Sequence, residues 1–176
     1  MKVLVAYATA HGSTHQVADA IGRRLGAAGF DVTVRAAGDV ADAASFDAVV
    51  LGSALHNGRW LTPAADLAAE LRRLPARPLW MFSVCTVGDT SSFLGPRVSQ
   101  RARRNRPLPA AVEASGAPHR FFAGVIAKDH WNFLGRWFFV LARGRYGDRR
   151  DWSDIEAWSE MIAAALTART VPEPTG

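Results

Sequence analysis

The hydrophobic pattern changes period several times along the chain, and each change marks an element. Val3, Leu4, Val5, Ala6 and Tyr7 form a short apolar run with β-branched residues. The polar stretch Thr9-Ala10-His11-Gly12-Ser13-Thr14 follows, and beyond it Val17, Ile21 and Leu25 recur at every fourth position. This order predicts a buried strand, a tight turn and an amphipathic helix. Gly29 ends the helix, residues 31–34 read as a second strand, and residues 47–52 as a third, buried on both faces. Residues 53–61 are expected to be a loop, and Thr62-Pro63 a helix start, with Thr62 as cap. Ala64, Leu67, Ala68, Leu71 and Leu74 then share one apolar face. Residues 79–84 are a fourth strand, running out at Cys85.

The second half is less regular. Residues 97–106 carry five arginines on a possible solvated helix, residues 107–115 suggest a short helix, and residues 119–126 a fifth strand. Ser153 with Glu156 reads as a capping box for a last helix whose core face is Ile155, Trp158, Ile162 and Leu166. Strands alternating with helices imply a parallel sheet with right-handed crossovers. Five strands in this rhythm fit a doubly wound α/β fold of order 2-1-3-4-5, with an insertion at residues 127–150. One domain is expected over residues 1–170, with a frayed tail at 171–176.

In such sheets ligands sit beyond the carboxyl ends of the strands, where the strand order reverses. Three loops meet there: residues 9–14, 53–60 and 86–92. The first opens a helix, where unpaired N–H groups and the helix dipole favour an anion. Thr9, Ser13 and Thr14 add hydroxyls, and Gly12 allows close backbone approach. The turn holds no Lys or Arg, so its donors are neutral. A simpler reading is a capping box, Ser13 with Gln16. Neither G-x-G-x-x-G nor G-x-x-x-x-G-K-[ST] follows the first strand, which excludes the dinucleotide and P-loop fingerprints. A receiver domain needs acidic residues where this chain has Tyr7-Ala8 and Gly52-Ser53.

Composition and charge refine this picture. The 176 residues hold one cysteine, Cys85, so no internal disulfide is available. Apolar runs such as residues 137–142 fall far short of the roughly 20 residues of a spanning helix. The first eight residues suit a strand better than a leader, and a cytoplasmic protein is expected. The net charge is +5, but residues 97–150 hold twelve basic side chains against three acidic ones. Within that region Trp131, Leu134, Phe138 and Leu141 recur at helical spacing, Trp137 widens the face, and Arg143 and Arg145 border it. Apolar aromatics with a basic rim suit an anionic membrane surface or a flat apolar ligand bearing carboxylates. An ordinary buried helix reads equally well. Nucleic acid fits less well, because no recognition motif accompanies the charge.

Thr9-Ala10-His11-Gly12-Ser13-Thr14 after the first strand resembles the flavodoxin fingerprint T/S-x-T-G-x-T, with His11 where that family usually carries Thr. The resemblance implies FMN, its phosphate wrapped by residues 9–14. It also implies a flavin ring flanked by Ser53, Ala54, Leu55, His56, Asn57 and Gly58 and by Thr86, Val87, Gly88 and Asp89. A related protein using a deazaflavin would show the same loops. The chain is also similar to the quinone-dependent protoporphyrinogen oxidases of bacteria. The match runs through residues 122–126, the aromatic stretch 131–146, Gly147-Asp148 and Asp151-Trp152. That branch implies oxidation of protoporphyrinogen IX with a quinone acceptor, with Trp131, Trp137, Phe138, Arg143 and Arg145 toward substrate or membrane. The alternative is a flavodoxin-type electron carrier. No metal site is expected, and no catalytic acid or base stands out, because the cofactor carries the chemistry.

Overall fold

The computed structural model describes residues 1–85, 108–126, 147–148 and 150–170. Its centre is strand β1, Lys2–Ala8, whose alternate residues are buried on opposite faces. Val3 and Val5 join one core, Leu4 and Ala6 the other. Strand β2, Asp31–Ala36, pairs parallel on one side of β1, and β3, Ala48–His56, on the other. Residues 59–60 form a two-residue strand, β4, turned back antiparallel on β3. Strands β5, Leu79–Cys85, and β6, His119–Ala123, complete the parallel set. The order β2-β1-β3-β5-β6 is the one expected from the sequence once β4 is counted apart.

Helix α1, Ser13–Ala27, and the last helix, Trp152–Thr170, cover one face of the sheet. Helices α2, Thr62–Leu71, and α3, Ala110–Ser115, cover the other; the last helix is therefore α4. The first face is aromatic: Phe82, Phe122 and Trp158 meet with ring centroids 5.5–6.1 Å apart. The second is aliphatic, built from Leu51, Leu67, Leu71, Met81 and Val112. Gly52 is a steric requirement of the aromatic face. It pairs with Phe82 across the strands, and a Cβ there would lie 2.0 Å from the phenyl ring. Among the described residues no helix is long and apolar enough to cross a membrane.

Several local expectations are corrected. The third strand continues through Ser53, Ala54, Leu55 and His56, which were expected to be loop. Asn57 and Gly58, both at positive φ (50° and 75°), turn it tightly into β4. The fifth strand breaks at Gly124. Val125–Ile126 forms β7, paired antiparallel with Gly147–Asp148, β8, so the two ends of the insertion are joined as a ribbon. Neither capping box forms as read. Gly12 caps α1 without a side-chain bond, and α4 starts earlier than its periodicity suggests. Asp151 Oδ1 takes the Asp154 N–H at 3.1 Å and the Ser153 hydroxyl at 2.6 Å. Leu61, not Thr62, is the N-cap of α2, and the third short helix begins at Ala110 rather than 107.

Candidate functional site

The carboxyl ends of β1, β3 and β5 lie side by side, with Ala8 opposite Ser53 and Ala54 opposite Val84. The turn after β1 therefore opens beside the end of β3, as the strand order requires. Within the turn, the Gly12 N–H donates to Thr9 Oγ1 at 2.9 Å. Gly12 itself sits at φ +85°, a left-handed conformation that strains any residue with a Cβ. This geometry starts α1 abruptly and leaves its first N–H groups without a side-chain cap.

Ser13 and Thr14 are buried in the first turn of α1, Thr14 completely. Thr14 Oγ1 is, among the described residues, the one buried side-chain N or O atom with no hydrogen-bond partner. A buried hydroxyl left unpaired costs about 1–3 kcal/mol, and native structures rarely leave one without a reason. Neutral hydroxyl and amide donors converging at a helix N-terminus are the donor set of a phosphate site. The residues present thus fit a phosphate-bearing cofactor, with Thr9, Ser13, Thr14 and the adjoining N–H groups as its holders. Ala10 and His11 are exposed at the tip of the turn.

Beside the turn, Tyr7 stacks on His15 with centroids 4.5 Å apart and planes 19° apart. His15 Nε2 lies 3.3 Å from Asp19. Burial, followed by the charges of Asp19 and Asp39, raises the Tyr7 phenol above its ordinary pKa, so it remains protonated at neutral pH.

The β3–β4 hairpin differs in character. Ser53 is fully buried, and its hydroxyl donates to the Ala54 carbonyl at 2.8 Å while accepting the Leu61 N–H at 3.0 Å. Trp60 is buried, and its indole N–H donates to Ser83 Oγ at 2.7 Å; Ser83 Oγ also lies 2.9 Å from His119 Nε2. Burial lowers the His119 pKa to about 4, so the imidazole is neutral, and its tautomer sets which partner donates across the Ser83 Oγ–His119 Nε2 pair. Trp60 is thus a pin holding the hairpin to the sheet. Leu55 is half-buried, and His56, Asn57 and Gly58 are exposed at the hairpin tip, next to the phosphate turn in the sheet order.

Thr86, Val87, Gly88 and Asp89 lie outside the described residues, as do Trp131, Trp137, Phe138, Arg143 and Arg145. Cys85, half-buried, ends β5, and its carbonyl accepts the Gly124 N–H at 2.9 Å. The structure gives Arg150, counted in the sequence among the basic residues of 97–150, a partner on α1. The Arg150 guanidinium donates to Gln16 Oε1 in the first turn of α1, and its Cζ lies 4.4 Å from the Trp152 ring centroid. Arg150 and Gln16 are 134 positions apart, and no local pattern joins them.

Comparison with known proteins agrees with this geometry. A family model described as a flavodoxin domain matches residues 4–141. No curated protein matches in sequence. Among solved structures, a flavodoxin from the domain Archaea superposes with a TM-score of 0.58 at 16% identity, covering 95% of this chain and 99% of its own. A mutant flavodoxin from Pseudomonas aeruginosa gives 0.56 at 18% identity, over 95% and 99%. Rubredoxin oxygen:oxidoreductase from the anaerobe Desulfovibrio gigas gives 0.61 at 15% identity, over 97% of this chain but 37% of that one. At such identities the superpositions speak for the fold alone. The family model covers most of the chain, from the first strand through the phosphate turn and beyond, and it makes the chain a member of the flavodoxin domain family, with FMN as its cofactor.

Proposed function

We propose that the chain is an FMN-dependent oxidoreductase that oxidises a flat, anionic organic substrate, with protoporphyrinogen IX the leading candidate and a quinone the acceptor. The reading includes a cytoplasmic setting and peripheral contact with an anionic membrane. One observation supports it: β7 follows directly on the carboxyl end of β6 and pairs with β8, so the two strands that flank the aromatic, basic stretch start from the end of the sheet where the cofactor turn opens. The sequence that joins these two strands is rich in aromatic and basic residues.

FMN, when bound, supplies the redox chemistry, and the protein supplies position and electrostatics. Thr9, Ser13 and Thr14 hold the phosphate, while residues 55–58 and 86–89 flank the ring. Trp131, Trp137 and Phe138 cover the flat face of the substrate, and Arg143 and Arg145 each pair a carboxylate through two parallel bonds. No acid or base of the protein is required.

The test is turnover of protoporphyrinogen IX with menaquinone by the FMN-loaded chain, repeated for Arg143→Glu/Arg145→Glu. The double variant should keep its FMN and lose most turnover or liposome binding, most visibly at low salt. Absent turnover, together with rapid reduction by a ferredoxin reductase, would make the chain a flavodoxin-type electron carrier instead.

A further inference from the structure

We propose that the cleft at the amino ends of β5 and β6 binds a small organic anion, with a carboxylate or phosphate head on a compact apolar body. The cleft holds about 610 Å³, a volume typical of small-ligand sites. Its walls are the start of β5, the turn before β6 and the last residues of α2, α3 and α4. It therefore lies at the opposite end of the strands from the turn after β1, and a ligand there is separate from the flavin.

The charge of the cleft points to an anion. Arg72, Arg77 and Arg169 line it, and no Asp or Glu stands among its described lining residues. Three helices end here, and each C-terminus carries about half a negative charge. Together they offset about half of the guanidinium charge and leave the cleft basic.

Its donors are held ready and unused. Arg77 Nη1 donates to the carbonyls of Ala43 and Phe46, each at 2.8 Å, and its Nε to that of Pro75 at 3.3 Å. Its Nη2 makes no hydrogen bond among the described residues, so a fixed guanidinium keeps one nitrogen for a ligand. Arg72 and Arg169 are exposed and form no ion pair or side-chain hydrogen bond among the described residues. Trp80 also lines the cleft and is 7% exposed. Its indole N–H meets no acceptor among the described residues, yet it is not sealed from solvent as the Thr14 hydroxyl is. A buried tryptophan usually finds a partner for that N–H, and an anion in the cleft would supply one. Leu74 and Leu79, both half-buried, give the apolar body its seat.

The experiment is an NMR titration of the chain saturated with FMN, so that the flavin site cannot take up the probe. The probes are benzoate, phenyl phosphate and the uncharged benzyl alcohol. They are added to the wild type, Arg72→Gln/Arg169→Gln, Trp80→Phe and Arg73→Gln, the last an exposed arginine outside the cleft. At least one anion should bind at millimolar concentrations or below and move the Trp80 indole signal, the tighter one naming the head group. Benzyl alcohol should bind at least about tenfold more weakly. The double arginine variant should lose about fivefold to tenfold in anion affinity, Trp80→Phe about threefold to tenfold, and Arg73→Gln nothing. Absence of anion binding, benzyl alcohol binding as well as the anions, or a loss as large in Arg73→Gln would overturn the proposal. Undiminished binding in the double variant or in Trp80→Phe would overturn it as well.

Discussion

The phosphate turn and the β3–β4 hairpin stand side by side at one end of the same sheet, yet they treat their polar groups in opposite ways. In the hairpin, Ser53 uses its hydroxyl twice, and Trp60, Ser83 and His119 form a closed chain of hydrogen bonds. In the turn, Thr14 is buried just as deeply with its hydroxyl unpaired, and α1 begins without a side-chain cap. The first pattern is what a scaffold needs. The second makes sense only if a ligand completes it, because the cost of an unpaired buried hydroxyl is carried by the folded protein until then. Burial alone does not separate the two regions; hydrogen-bond satisfaction does.

Mutations should therefore act with opposite signs in the two places. The largest effect is expected from Thr14→Val, which keeps the shape and removes the hydroxyl. FMN affinity should fall about tenfold to a hundredfold, the worth of a hydrogen bond to a charged group. The melting temperature of the cofactor-free protein should hold or rise. A parallel loss of cofactor-free stability would erase the contrast. Next in size is Ser83→Ala, which strands the Trp60 indole N–H and removes the His119 partner. Urea unfolding should show a loss of about 2 kcal/mol, while the folded fraction binds FMN as before.

The smallest effect sharpens the scaffold side through pH. His119 is neutral in the fold, with its pKa lowered from 6.5 to about 4. As pH falls below the ordinary value, the unfolded chain takes up this proton before the folded one does. Its contribution is thus complete above about pH 6.5 and is lost progressively toward pH 4. The loss should be only part of the roughly 3 kcal/mol that a shift of this size is worth in full, since the ring keeps some contact with water. Comparing urea midpoints at about pH 7 and about pH 5 for wild type and His119→Gln isolates it. Equal slopes would show that the chain of bonds tolerates an imidazolium.

Where side chains are buried on a regular period, the sequence was easy to read. Val3–Val5, Val49–Leu51 and residues 80–84 are buried runs, and the stripe Val17, Ile21, Leu25 could belong only to a helix packed on them. The turn between β1 and α1 was equally plain, because its polar residues and Gly12 are a local signal. The extension of β3 was missed because Ser53, Ala54, Leu55 and His56 include no β-branched residue. The Asn57-Gly58 pair that closes the hairpin was present as a turn signal all the same. The capping by Asp151 is local, reaching Asp154 three residues on, and was masked by the competing Ser153–Glu156 signal; the break at Gly124 depends on a partner outside its own segment, Cys85. The Trp60–Ser83–His119 chain and the Arg150–Gln16 bond were invisible for the same reason: each joins residues that only the folded sheet brings together.

The β7–β8 ribbon has a consequence for how the chain is threaded. Because Val125 lies opposite Asp148 and Ile126 opposite Gly147, the path leaves the sheet and returns through a single doorway. The residues in between can be lengthened, exchanged or cut back to a two-residue turn without rerouting any strand of the parallel sheet, and closing so short a gap adds little to the entropy of folding. In modular terms, the segment between the two strands can change at this one joint while the turn after β1, the sheet order and the final helix keep their places.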